Sequence, residues 1–120
     1  LNKMAVYNKI IRFQKLDINT EKWEDYYVSE KSKEEKNPYI HANVNKSSGK
    51  EYFNARTEIS GSTFNFKIRY CEALKDLIFN TEIYRIIYEN KIFNITNVDD
   101  FQLNHNELTI VGGCGVKNFN

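Results

Sequence analysis

Few residues in this 120-residue chain combine the types and spacing that chemistry needs. The two cysteines, Cys71 and Cys114, stand far apart, and the only histidines are His41 and His105. A zinc site wants closely spaced thiols and imidazoles, so no metal site is expected. Neither cysteine is flanked like an activated nucleophile. The expectation is two reduced thiols, with Cys71 a small core or rim residue and Cys114 exposed near the C-terminus. Nucleophilic catalysis by Cys71 with His105 and Asp99 or Asp100 would need those groups within hydrogen-bond reach, which spacing alone does not indicate. Turn chemistry accounts for Asp99-Asp100, and entry into a strand accounts for His105. Gly112, Gly113 and Gly115 have no helix after them, which excludes a phosphate-cradling loop. The residues therefore point to no catalytic site, no metal and no cofactor.

A nucleic-acid reading rests on Phe64-Asn65-Phe66-Lys67-Ile68-Arg69-Tyr70, which interleaves aromatics and cations as single-strand-binding sheets do. Alternation puts Phe64, Phe66, Ile68 and Tyr70 on one face, with Lys67 and Arg69 on the other. A stacking platform wants rings and cations together, so a core-facing aromatic row with a solvated cationic face is the plainer reading. A small β-barrel that binds single-stranded nucleic acid is the alternative function.

The elements that must position these residues are mostly strands. Ile10-Ile11-Arg12-Phe13 is an apolar block suited to a first strand, and Tyr39 to Asn45 alternates with Ile40, Ala42 and Val44 on one face. Glu82–Tyr88 and Lys91–Val98 form a hairpin across a Glu89-Asn90 turn. Asp99-Asp100 turns the chain again, and Leu103 to Val111 supplies the last strand. Residues 71–80 (CEALKDLIFN) read as a short helix, with Leu74, Leu77 and Ile78 at helical spacing. Residues 17–38 read as one long loop. Its stretch from Ser29 to Asn37 lacks apolar residues and is expected as a solvated loop rather than a helix. Residues 112–120 read as a flexible tail. The sum is an all-β chain: a single-domain small antiparallel β-barrel, SH3-like or OB-like, with one long loop and one short helix.

Composition and charge bound the partners. Lys and Arg number 17 against 16 Asp and Glu, a net charge of +1. That excludes the basic footprint of a dedicated duplex-DNA binder and equally an acidic mimic. No stretch reaches the roughly 18 consecutive apolar residues of a membrane helix. With no signal-peptide block near the start, a soluble product made in the cytoplasm is expected. Asn, Ile, Lys, Tyr and Phe, all encoded by AT-rich codons, supply 58 of the 120 residues. Scarce Ala beside common Ile, Phe, Tyr and Thr favours strands.

The order of segments resembles the tailed-phage head-tail joining (head-closure, or head-completion) family. Ser47-Ser48-Gly49-Lys50-Glu51-Tyr52-Phe53-Asn54-Ala55, following an alternating strand, is similar to the family's central signature. Thr63–Tyr70, Tyr84–Ile95 and Glu107–Ile110 follow in family order. Upstream, Ile11–Lys15 and Trp23–Tyr26 resemble its first strand and its Trp-containing segment. The departures are Glu89-Asn90 in place of an Asp-Gly turn, His41 at a position often aromatic, and the charged stretch from about Ser29 to Asn37.

The resemblance implies a structural role in a virion of a phage or prophage, at the head-tail connector. The protein would form a ring beneath the portal and its adaptor, retain the packaged DNA and offer the tail its attachment surface. The implied partners are portal and adaptor proteins, tail completion or tail tube proteins, and further copies of itself. The isolated chain would be a monomer, with a dodecamer among the ring sizes the family allows. Duplex DNA would pass through without sequence-specific binding, and no membrane is involved. Trp23, Tyr26, Tyr27, Ser48, Gly49 and Lys50 are the expected intersubunit or channel contacts, the aromatics because rings dominate interface hot spots.

Overall fold

The computed structural model describes residues 6–46, 63–100 and 105–114. The chain runs β1 (Lys9–Asp17), β2 (Lys22–Tyr26), α1 (Glu30–Glu35), β3 (Tyr39–Lys46) and β4 (Thr63–Arg69). Three single 3₁₀ turns follow (Glu72–Leu74, Leu77–Phe79 and Thr81–Ile83), then β5 (Tyr84–Tyr88), β6 (Lys91–Asp100) and β7 (Glu107–Cys114). Every strand pairing is antiparallel, and the order β2-β1-β3-β4-β7-β6-β5 closes on itself through β1 and β5. The result is a six-stranded barrel with β2 as an added strand, the small β-barrel expected.

β1 is the junction. Its residues Lys9–Arg12 pair with β3, Phe13–Asp17 with β2, and Arg12–Lys15 with β5. Because Arg12 has partners in both β3 and β5, those strands lie on opposite edges of β1. Over Phe13–Lys15 the strand is likewise flanked by β2 and β5. One edge of β1 is therefore divided between β3 and β2. Alternation supplies the core: Ile11 and Phe13 of β1, Phe66 and Ile68 of β4, Ile86 of β5, Phe93 and Ile95 of β6, and Leu108 and Ile110 of β7 all point inward and are buried. Phe66 meets Phe93 edge to face with centroids 5.2 Å apart, and Tyr88 at 6.0 Å. Such pairs add to the area term of burial.

Two local devices shape the barrel. β6 and β7 slip register between Ile95 and Asn97, a bulge at Thr96. It flips the alternation, so that Phe93 and Ile95 point inward before it and Val98 and Asp100 after it. Gly112 sits where a side chain has no room, since a Cβ there would come 3.2 Å from Phe93 Cβ and 3.4 Å from the Asn94 carbonyl oxygen.

Several expectations change. The long loop at 17–38 contains β2 and α1. The six-residue α1 forms without any buried residue because its ends are closed locally. The Ser29 hydroxyl accepts the Ser32 N–H at 3.0 Å, and Lys36 takes the left-handed conformation (φ 56) while Asn37 donates to the Ser32 carbonyl at 2.9 Å. Residues 71–80 form 3₁₀ turns rather than one helix, and these still bury Leu74 and Leu77. β6 extends to Asp100, so Asp99 and Asp100 are strand residues instead of a turn. β7 begins at Glu107 and continues to Cys114, so Gly112, Gly113 and Cys114 belong to a strand and not to a tail. Cys114 is accordingly half-buried, and both cysteines are free thiols. The Glu89-Asn90 turn is as expected, with both residues left-handed (φ 52 and 64).

Candidate interaction surface

The outward residues of β2, β1 and β5 build one continuous polar and aromatic row. Register sets Asp25 of β2 opposite Gln14 of β1, and Gln14 opposite Arg85 of β5. The Gln14 amide nitrogen donates to Asp25 Oδ1 at 3.0 Å, and its amide oxygen accepts from Arg85 Nε at 2.9 Å. Arg12, one step along β1, also donates Nε to Asp25 Oδ1, at 2.9 Å. Aromatic rings close both ends of the row. The Arg85 guanidinium carbon lies 4.4 Å from the Trp23 ring centroid, and that of Arg12 lies 5.9 Å from the Tyr39 ring. Burial alone lowers the Arg85 pKa from its ordinary value. Ile10, Tyr39 and Ile92 are exposed apolar residues on these outer strand faces.

Behind β2, the inward side belongs to the core. Tyr26 and Tyr84 meet edge to face at 5.5 Å, and the Lys15 ammonium lies 5.5 and 5.3 Å from their ring centroids. The Tyr26 hydroxyl donates to the Ala73 carbonyl at 2.7 Å, and that of Tyr84 to Asp76 Oδ1 at 2.9 Å. Burial raises both phenol pKa values. Of the expected contact residues, Trp23 therefore stands on the outer row, Tyr26 packs against the core and Tyr27 is half-buried just after β2. Ser48, Gly49 and Lys50 lie outside the described residues. Sequence reading missed Arg12, Gln14, Asp25 and Arg85. The signal for the first two was their alternation with inward Ile11 and Phe13 along β1; nothing local announced their cross-strand partners.

A second cluster gathers around Asp100, whose side chain is 1% exposed. Its carboxylate accepts the His105 backbone N–H at 2.9 Å and lies 2.6 Å from His105 Nδ1. The His105 ring, 4.5 Å from that of Tyr70, stacks on it and lines a cavity of ≈ 400 Å³ with Leu74, Ile78, Phe79 and Leu108. Asp100 is thus a buried structural acceptor rather than a turn residue. The Cys71 thiol does not join it: burial pushes its pKa up, the opposite of an activated nucleophile. Among the described residues no group of three or more His, Cys, Asp or Glu side chains could hold a metal ion. On β4, Phe66 and Ile68 are buried while Arg69 is exposed, so the strand's own rings and cations face apart, and Arg69 lies instead over the Tyr7 ring at 5.0 Å. No helix among the described residues is long and apolar enough to cross a membrane.

The family model for phage head completion proteins matches residues 5–112. Among solved structures, the fold is similar to the solution structure of protein SF1141 from Shigella flexneri 2a, with a TM-score of 0.61 and 21% identity, over 98% of this chain and 100% of that one. It is also similar to a chain in the virion of a native gene transfer agent particle, with a TM-score of 0.53 and 14% identity, over 91% of this chain and 94% of that one. No curated protein matches the sequence. At such identities the two structures speak for a shared barrel fold.

Proposed function

The chain belongs to the phage head completion protein family, and from that membership we propose that it closes the filled phage head. In this reading the barrel assembles as a ring beneath the portal and its adaptor, retains the packaged DNA and presents the surface to which tail completion or tail tube proteins attach. The observation that carries it is the family match over residues 5–112, nearly the whole barrel. The similarity to a chain of a gene transfer agent virion is in keeping with a place in a virion. A net charge of +1 suits a channel through which DNA slides, because extensive phosphate neutralisation would hold the genome back. In a ring each subunit uses two different faces, one for each neighbour. The Trp23 row is the face we assign to protein contact, with Tyr26 packed behind it and Tyr27 kept as a candidate contact. Ser48, Gly49 and Lys50 are kept as candidate intersubunit or channel contacts. The subunit has no catalytic role in this scheme.

The test is to mix the purified protein with its cognate portal–adaptor complex and image the product by electron microscopy. The expected result is an added ring of density beneath the adaptor. Deletion of the gene should leave heads that lose DNA and fail to join tails; heads that stay full and join tails normally would refute the proposal.

A further inference from the structure

The outer row carries two guanidiniums and one carboxylate, and the carboxylate is already committed. Asp25 Oδ1 receives both Arg12 and Gln14. Arg85 reaches this charge only through the Gln14 amide, and among the described residues no carboxylate lies within ion-pair distance of it. The Arg85 side chain is nonetheless held in place. Gln14 fixes its Nε, and Trp23 covers it at 4.4 Å. Those two contacts account for Nε and one face, leaving the terminal nitrogens without a partner among the described residues. A half-buried cation bears a desolvation cost, in keeping with its lowered pKa, and among the described residues no carboxylate offsets it beyond what Gln14 and Trp23 supply.

We infer that Arg85, braced by Gln14 and Trp23, is a docking point for a carboxylate on a protein partner, presented beside an apolar or aromatic side chain. Charge complementarity identifies the anion: one uncompensated positive charge is matched by one acidic side chain, in the forked geometry that guanidinium and carboxylate share. The surroundings favour a protein over DNA. A phosphate backbone calls for several cations in series, whereas here Arg12 is neutralised by Asp25 and the adjoining outer faces carry exposed Ile10 and Tyr39. Arg and Trp in contact are also the residue types most enriched at interface hot spots. The inference rests on the reading of this face as a docking surface and adds the chemistry of what docks.

The experiment titrates the ¹⁵N-labelled full chain with acetyl-Phe-Glu-amide, following the Arg85 Nε–H and Trp23 indole N–H resonances. Acetyl-Phe-Gln-amide is the neutral control and a short DNA duplex the competing anion. Saturable shifts of both resonances are expected with the Glu peptide, with affinity about tenfold weaker for the Gln peptide, the usual weight of a charge-assisted hydrogen bond. Arg85→Gln should abolish the preference for Glu over Gln, read at Trp23, and Arg85→Lys should keep part of it. Equal affinity for the two peptides, or no saturable shift, would overturn the inference. So would a duplex that moves the same resonances more strongly and with a steep salt dependence. Tail joining by Trp23→Ala particles reads the docking face independently: a loss there beside indifferent peptides removes the carboxylate site and leaves the docking face standing.

Discussion

Asp100 holds His105 at two points, the backbone N–H at 2.9 Å and ring Nδ1 at 2.6 Å, while His105 itself sits in the left-handed region at φ 59. The buried carboxylate thus fixes the chain just ahead of β7. Asp100→Ala should lower stability by about 1–3 kcal/mol, the loss of two hydrogen bonds made by a buried carboxylate, and Asp100→Asn by less because its amide oxygen still accepts the N–H. Positive φ adds an ordering at the next site: His105→Gly should be at least as stable as His105→Ala. Urea midpoints decide both, and Ala outranking Gly at position 105 would contradict the backbone argument.

Glu89-Asn90 makes the β5–β6 hairpin with both residues left-handed, a conformation Glu favours poorly. Replacing Glu89 by Asn or Asn90 by Gly should raise stability by about 0.5–1 kcal/mol through the turn's local backbone preference. A lower urea midpoint for Asn90→Gly would show that the turn is held by something other than local preference.

Neighbouring glycines in β7 should behave oppositely. A Cβ at Gly112 meets Phe93 Cβ at 3.2 Å, whereas one at Gly113 meets nothing within 4 Å. Gly112→Ala should therefore cost about 1–3 kcal/mol through overpacking. Gly113→Ala should be neutral or stabilising by up to about 1 kcal/mol, since it removes unfolded-chain freedom at no steric cost. Thermal unfolding of the two variants side by side is the check.

Tyr26 and Tyr84 bring a loss of stability at alkaline pH. Burial pushes both phenols above their ordinary value near 10. Below pH 10 both rings are protonated in folded and unfolded chains alike, and they add no pH dependence. Above it the unfolded chain releases these protons while the folded chain keeps them, so stability falls as pH rises. Tyr84→Phe should be weaker than the natural chain at pH 8, having lost the bond to Asp76, yet its urea midpoint should fall less between pH 8 and pH 11. Parallel slopes would refute the assignment.

Ser29 caps a helix that buries nothing. Ser29→Ala should cost roughly 1 kcal/mol within α1 and leave global unfolding unchanged. Amide exchange at Lys33 should quicken while exchange at Phe66 stays as it was; a fall in the global midpoint would mean that α1 is packed after all.

The legible part of the fold was whatever repeats with period two. Ala42 of β3 and Phe66 and Ile68 of β4 announced their inward face in the sequence, and all three are buried in the core. Asp100 was illegible because the bulge at Thr96 shifts the parity of β6, and a bulge leaves no local trace in an alternating run. α1 was missed because caps, not an apolar face, hold it. In the candidate surface Trp23 was named from the sequence as an aromatic of the kind that dominates interfaces, but Arg85 gains its meaning from Gln14 and Trp23, residues far away along the chain. Only strand register brings those three together.

The division of β1 among three strands carries a consequence for biosynthesis. The strand is made before its partners: its closing partner β5 lies some seventy residues downstream, and β4 and β6 stay unjoined until β7 is made. Until β7 is made the nascent chain holds Ile11, Phe13 and Phe66 without a finished interior around them, and such non-local sheets fold slowly and expose sticky edges meanwhile. The barrel becomes watertight only when its last strand slots between two earlier ones. The interval before β7 is made is therefore the stage at which the chain is most open to aggregation.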